Sequence, residues 1–93
     1  MYGYIYLTTN LITNKKYIGQ HKSENFDYSY KGSGKILTRS INKYGFDNFK
    51  CELLEECFSK EELDSKEKYY ISLYDAVESS DFYNLTAGGS GGS

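Results

Sequence analysis

Two short runs near the start of the chain alternate with a period of two, which is typical of half-buried β-strands. The first run covers residues 3–9. Tyr4, Tyr6 and Thr8, which carry hydroxyl groups, fall on one side of it, and Ile5 and Leu7 fall on the other. The second run covers residues 15–20, and a polar turn at residues 10–14 separates the two. Because this connection is short, the pattern predicts that the runs pair as a β-hairpin.

Two later segments have helical spacing. Leu37, Ile41 and Tyr44 fall on one face of residues 35–44, and Gly45 follows where a helix commonly ends. Ser59 and Glu62 form a capping box that predicts the start of a second helix. The apolar stripe expected on this second helix has four members: Leu63, Tyr70, Ile71 and Tyr74.

A third strand is predicted at residues 49–57, and residues 82–85 form a short extended piece. Phe49, Cys51, Leu53 and Cys57 are expected on one side of that strand. The predicted order is β-β-α-β-α-β, with a short last strand. It indicates an α+β fold, a small and mostly antiparallel β-sheet flanked by helices. We expect one domain at residues 1–87 and a flexible Gly/Ser tail at residues 88–93.

Composition narrows the class of protein. The chain of 93 residues has eleven Tyr and no Trp. It has no apolar run of about 18 residues and no charged-then-apolar leader, so we expect no membrane association and an intracellular location, in the cytoplasm of a host cell. Cys51 and Cys57 share a predicted strand and lie far apart along it, which favours two reduced cysteines.

Charge is divided unevenly along the chain. Residues 1–50 hold eight Lys or Arg and three acids, whereas residues 51–93 hold three Lys and ten acids. This division can produce a basic face on an acidic body, which would suit a nucleic-acid partner, or it can be a chance distribution of surface charge.

Glu67 interrupts the stripe of the second helix, because it lies four residues after Leu63 and four before Ile71. A buried carboxylate must be paired, hydrogen-bonded, at the edge of a cleft, or bound to a cation. A lysine ion pair or a tyrosine hydroxyl would give it a structural role. The alternative is that Glu67 holds a divalent metal, since Mg²⁺ is often bound by one or two carboxylates together with substrate phosphates.

Candidate anion-binding residues precede the first helix. The turn Gly32-Ser33-Gly34 leaves backbone N–H groups accessible, and Lys31 and Lys35 flank it. His21 follows the second run and is either a structural or a proton-transferring residue. Tyr28 and Tyr30 lie close to Lys31 in the sequence. Aromatic rings interleaved with a cation are compatible with nucleic-acid contact, and equally with packing of the loop.

These features together resemble the GIY-YIG nuclease family, and most closely its phage-type homing endonucleases. The first motif is Tyr4-Ile5-Tyr6, with Tyr at the usual Gly position, and the second is an intact Tyr17-Ile18-Gly19. Further matching segments follow in order along residues 3–89: Tyr30-Lys31-Gly32-Ser33-Gly34, Lys43-Tyr44-Gly45, Asn48-Phe49, Glu67 within Glu67-Lys68-Tyr69-Tyr70-Ile71, and Asn84.

The resemblance implies hydrolysis of phosphodiester bonds in double-stranded DNA by one divalent metal, Mg²⁺ or Mn²⁺, held by Glu67. Tyr6 is the expected proton acceptor, with Tyr17 or His21 as alternatives, and Lys31 completes the catalytic set. The expected substrate-binding residues are Gly19, Ser33, Lys35, Arg39 and Asn84. An additional DNA-binding region, which homing enzymes of this kind carry, is expected to be absent from this chain.

One departure from the family pattern concerns the phosphate contact. The family commonly has an arginine shortly before or early in the first helix, whereas the single arginine here, Arg39, falls in the middle of that helix. Lys31 or Lys35 could supply the charge, and His21 could share that role. Two alternatives to a nuclease remain: an inert nucleic-acid-binding module of the same fold, and a protein-interaction domain.

Overall fold

The computed structural model describes residues 1–86 and 88, in which three strands and two α-helices form one α+β unit. The elements are β1 (Gly3–Asn10), β2 (Lys16–Lys22), α1 (Lys35–Tyr44), β3 (Phe49–Cys57) and α2 (Lys60–Leu73), with a single 3₁₀ turn at Phe46–Asn48. The predicted fold class is confirmed, but the short last strand predicted at residues 82–85 is reduced to one bridge, in which Phe82 pairs in parallel with Lys16. Residues 89–93 of the predicted tail lie outside the described residues.

The sheet has the order β2-β1-β3, and both pairings are antiparallel. The predicted hairpin is confirmed, since Tyr6 pairs with Gly19 and Thr8 pairs with Tyr17. β2 continues two residues beyond the predicted end, so His21 lies within the strand opposite Tyr4 rather than after it. Pairing to β1 extends β2 because Gly3 and Tyr4 provide partners for these last residues.

The predicted face of β3 is wrong for Cys57. Ile5 pairs with Glu55, and the next residue, Tyr6, pairs with Leu53, so Leu54 is an extra residue in β3. Such a bulge reverses the alternation of side chains beyond it. Phe49 therefore packs with α1, whereas Cys57 packs in the core beneath α2. Both cysteines are free, and the two faces of the sheet separate them.

The sheet carries a hydrophobic cluster on each face. The α2 side contains six buried residues: Ile5, Ile18, Cys57, Leu63, Ile71 and Ala76. The α1 side contains three: Leu37, Phe49 and Tyr83. Tyr74, which the predicted stripe included, is exposed, because α2 ends at Leu73 and Tyr74 lies beyond its last turn.

The ends of the helices follow the sequence signals. Ser59 accepts a hydrogen bond from the Glu62 N–H at 3.0 Å, and the Glu62 carboxylate accepts one from the Phe58 N–H at 2.6 Å. At the end of α1, Gly45 has φ of 95° and donates its N–H to the Ile41 carbonyl. Among residues 1–86 and 88, no helix has the length and apolar character needed to cross a bilayer.

Candidate active site

A cavity of about 590 Å³ opens at the outer edge of β2, where the start of α1, the middle of α2 and the segment after residue 82 meet. Six of the residues predicted for the site line it: Tyr6, Tyr17, Ser33, Lys35, Glu67 and Asn84. Because β2 is an edge strand, side chains from both of its faces reach this space. Residues separated by up to 78 positions are thereby brought together.

Glu67 is the buried carboxylate that the helical pattern predicted, with 7% of its surface exposed. Its Oε1 accepts a hydrogen bond from Gln20 Nε2 at 3.0 Å, and the same nitrogen donates to Asp64 Oδ1 at 2.8 Å. Asp64 Oδ2 contacts Lys60 Nζ at 3.0 Å. The Gln20 amide therefore joins two carboxylates of α2, and both of its N–H groups are committed to them.

Two phenol rings occupy the opposite wall. Tyr6 is buried and Tyr17 is half-buried. A Cβ at Gly19 would lie 2.6 Å from Tyr6 Cζ and 2.9 Å from Tyr17 Cε2, so only glycine leaves room for both rings. The glycine of the second tripeptide is thus a packing requirement of the two tyrosines.

Burial dominates the protonation of these phenols. It raises the pKa of Tyr6 above the usual value near 10, and the neighbouring phenols of Tyr30 and Tyr17 add to the effect. Burial also raises the pKa of Tyr17, followed by the negative charge of Glu67. Both side chains are consequently neutral phenols near pH 7.

His21 and Tyr30 form an aromatic group beside the cavity. Their rings stack at 3.8 Å between centroids, and Tyr30 meets the Tyr6 ring edge-on at 5.5 Å. The Tyr30 hydroxyl donates to Ser33 Oγ at 3.3 Å. His21 Nε2 lies 4.0 Å from Asp27 Oδ2. His21 does not line the cavity, although it contacts the residue that packs on Tyr6.

Asn84 attaches the last described segment to β2. Its Oδ1 accepts the Ile18 N–H at 3.0 Å, and its Nδ2 donates to the Ile18 carbonyl at 2.7 Å. Two backbone hydrogen bonds precede this contact: the Lys16 N–H donates to the Asp81 carbonyl, and the Tyr83 N–H donates to the Lys16 carbonyl. The asparagine therefore continues a short parallel pairing and closes one wall of the cavity.

The start of α1 faces the cavity through Ser33, Gly34 and Lys35. Gly34 is the N-cap residue and makes no side-chain cap, and no acid lies in the first turn. A Cβ at Gly34 would lie 3.1 Å from Tyr17 Cε1, so this glycine also accommodates a phenol. Free N–H groups and a lysine at a helix start suit an anion such as a phosphate.

Lys31 and Arg39 lie away from the cavity. Lys31 Nζ donates to the Phe46 carbonyl at 2.8 Å and lies 3.9 Å from the centroid of the Phe46 ring. Arg39 faces a separate groove on the far side of Ile36. Gly19 pairs with Tyr6 and lies beneath its ring.

Sequence patterns did not identify Gln20 or the role of Tyr30. Gln20 is a polar residue on the side of β2 that faces α2, two residues from buried Ile18, and this position was the available signal. Tyr30 lies in the long loop between β2 and α1, where no periodic pattern predicts a contact with Tyr6.

The carboxylate arrangement limits how a metal could bind. In the described part of the chain, no group of three or more His, Cys, Asp or Glu side chains is close enough to share an ion. Glu67 instead presents one carboxylate to a cavity that also has space for water and a phosphate. That donor set fits Mg²⁺ or Mn²⁺, which keep several waters and are often bound by one or two carboxylates plus phosphate oxygens.

Comparison with known proteins identifies several similar proteins of Enterobacteria phage T4, which are named as endonucleases or putative endonucleases. The segB protein of Enterobacteria phage T4 is 46% identical over 92 residues, covering 99% of this chain and 41% of segB. The segE protein of that phage is 41% identical over 92 residues, covering 99% of this chain and 44% of segE. Endonuclease segA of the phage is 35% identical over 91 residues, covering 98% of this chain and 41% of segA. The chain thus spans less than half the length of these relatives.

Two solved structures share the fold. A mutant of the catalytic domain of intron endonuclease I-TevI superposes with a TM-score of 0.72 at 26% identity, covering 94% of this chain and 96% of that one. The catalytic domain of homing endonuclease I-TevI gives a TM-score of 0.68 at 27% identity, covering 90% and 98%. The profile of the GIY-YIG catalytic domain matches residues 2–80. The chain therefore belongs to the GIY-YIG nuclease family.

Proposed function

We propose that this domain is a divalent-metal-dependent endonuclease that hydrolyses phosphodiester bonds in double-stranded DNA. One observation carries the proposal: a buried carboxylate, two phenols and the cationic start of a helix line a single cavity. Membership of the GIY-YIG family and the similarity to endonuclease segA support it.

Glu67 would hold Mg²⁺ or Mn²⁺ through its carboxylate, with Gln20 fixing the orientation of that group. When bound, such an ion stabilises negative charge on a phosphate and lowers the pKa of a coordinated water. Gln20 acts as a positioning residue, because its amide donates to Glu67 from one hydrogen and to Asp64 from the other. Asp64 in turn prevents the amide from turning its oxygen toward Glu67.

Tyr6 would accept the proton of the attacking water. Burial raises the pKa of this phenol, so it reacts from the neutral form and must release its own proton as it accepts another. Tyr30, whose ring meets the Tyr6 ring edge-on and whose hydroxyl donates to exposed Ser33, would take that proton and pass its own toward solvent. Tyr17 and His21 are the other candidate acceptors, and Tyr17 lines the cavity.

The phosphate would be bound by Lys35 and by the free N–H groups at the start of α1. No arginine is among the described residues of the cavity, so the charge comes from an ammonium rather than a bidentate guanidinium. This same feature favours the second candidate function, an inert module that binds DNA without cutting it. Lys31 would contribute only from outside the cavity, where it bonds to Phe46.

Nicking of supercoiled plasmid with Mg²⁺ or Mn²⁺ tests the proposal. We expect cleavage by the chain, and a loss of about 10³-fold or more for Glu67→Gln, which keeps the size of the side chain but removes its charge. The matched control is Glu56→Gln on exposed β3, which should cut normally. Absence of nicking with either metal would favour the inert module, and full activity of Glu67→Gln would exclude Glu67 as the metal ligand.

A further inference from the structure

A basic groove adjoins the cavity on the other side of Ile36 and Tyr83, two residues that line both. The groove has a volume of about 210 Å³ and lies between α1 and the turn after β1. Its lining includes the residues Lys15, Ile36, Arg39, Lys43, Tyr44 and Tyr83. Three of these are cations and none is an acid.

The cations of α1 form a stripe that begins in the cavity and continues into the groove. Lys35, Arg39 and Lys43 are spaced by four residues, so they lie on one face of the helix. The sequence of α1 contains no Asp or Glu. Among residues 1–86 and 88, none of the three forms an ion pair with a carboxylate.

This arrangement works against the stability of the helix. Like charges four residues apart repel each other, and a cation in the first turn is disfavoured by the helix dipole. Lys43 alone is in a favourable place, near the C-terminus of α1. An anion along the stripe would offset both penalties.

Aromatic rings position two of the groove's cations, one on each wall, in a way that also favours an anion. Lys15 extends from the β1–β2 turn, with its Nζ 5.8 Å from the centroid of the Tyr83 ring. Lys43 Nζ lies 5.2 Å from the centroid of the Tyr44 ring. Each ring supports an ammonium while leaving its charge exposed to solvent.

We propose that the groove formed by Lys15, Arg39 and Lys43 is a second phosphate-binding site, separate from the reacting phosphate. It takes the sugar-phosphate backbone of the strand that occupies the cavity, so the backbone runs along α1 from Lys35 toward the β1–β2 turn. From Lys35 to Lys43 the helix rises about 12 Å. That length exceeds the spacing of successive phosphates of one strand, about 3.4 Å along the duplex axis, so the stripe can face several of them.

The inference rests on the proposed function, because it assumes that DNA enters the cavity. The test uses Glu67→Gln chains, which should not cut the probe, and a fluorescent DNA duplex of random sequence. Binding is measured by anisotropy from about 20 to about 200 mM salt, and the slope of log K against log salt gives the phosphate contacts. The test variant adds Lys15→Gln, Arg39→Gln and Lys43→Gln. The matched control adds Lys50→Gln, Lys66→Gln and Lys68→Gln, which removes the same charge outside the groove.

We expect the groove variant to lower the magnitude of the salt slope by about 2–3, since each phosphate contact contributes about 0.9. The control should change the slope by less than one contact, and thermal unfolding should show that both remain folded. An unchanged slope in the groove variant, or an equal loss in the control, would refute the groove while leaving the proposed function in place. No salt-dependent binding by the Glu67→Gln parent would refute the proposed function and the groove together.

Discussion

Replacement of Gln20 by methionine should weaken metal binding more than any loss of folding explains. Methionine keeps the length of the side chain and removes both amide N–H groups. These groups donate to Glu67 at 3.0 Å and to Asp64 at 2.8 Å. Glu67 is 7% exposed, so water cannot fully replace the lost donor, whereas Asp64 keeps its contact with Lys60.

The magnitude follows from these contacts. Hydrogen bonds to charged groups contribute about 1.5–3 kcal/mol each. The loss at Asp64 is smaller because Lys60 still contacts its carboxylate. The free energy of unfolding should therefore fall by about 2–3 kcal/mol for the two hydrogen bonds together. A domain of this size has about 5–10 kcal/mol in total and therefore remains folded at room temperature. Loss of a residue that orients a metal ligand typically lowers metal affinity by about 10–100-fold.

Electron paramagnetic resonance of free Mn²⁺ measures the dissociation constant directly and without turnover. The matched control is Tyr70→Phe, which removes the 2.9 Å bond to Glu55 from the same helix and should lower stability without changing the affinity for Mn²⁺. Wild-type affinity in Gln20→Met, despite lower stability, would mean that the amide is purely structural. Tighter binding would mean that Gln20 competes with the ion for Glu67.

Three further predictions concern the phenols and the glycine beneath them. Burial raises the pKa of Tyr6, so its protonated form stabilises the fold fully below about pH 10, and this stabilisation is lost as the pH rises through the higher pKa of the folded state. An ultraviolet titration should therefore show no tyrosinate from Tyr6 near pH 8. A difference in tyrosinate absorbance at that pH between wild type and Tyr6→Phe would contradict this prediction. Tyr30→Phe should reduce the nicking rate about tenfold or more. If the two phenols act together, the same change should cause no further loss when Tyr6 is already replaced by Phe. Additive losses would show that Tyr6 and Tyr30 act independently. Gly19→Ala should cost about 1–3 kcal/mol of stability in a denaturant titration, because its Cβ would lie 2.6 Å from Tyr6 Cζ; wild-type stability would show that the ring can move.

The sequence was sufficient for most of the fold because local rules and burial agree. Period-two alternation indicates the strands, the capping residues mark the start of α2, and Gly45 marks the end of α1. As a result, α1 and β3 begin and end at the predicted residues. The bulge at Leu54 was not predictable, because it depends on how β3 pairs with β1 rather than on any residue preference within β3.

The candidate site was predicted to a smaller extent. The carboxylate on the apolar stripe of α2 pointed to Glu67, and the structure places it in one cavity with Tyr6 and Tyr17. Its partner Gln20 is 47 residues away, and a contact at that distance follows from packing rather than from a pattern. Lys31 appeared equivalent to Lys35 in the sequence, yet a bond to the Phe46 carbonyl directs it elsewhere.

The claim that Glu67 holds a cation within the cavity is tested most directly by paramagnetic broadening of nuclear magnetic resonance signals by Mn²⁺. We expect the strongest broadening at the Gln20 side-chain amide and at the Gly34 N–H, and its disappearance in Glu67→Gln. Broadening centred on Glu52 and Glu56, the exposed carboxylates of β3, or broadening that persists unchanged in Glu67→Gln, would contradict the account.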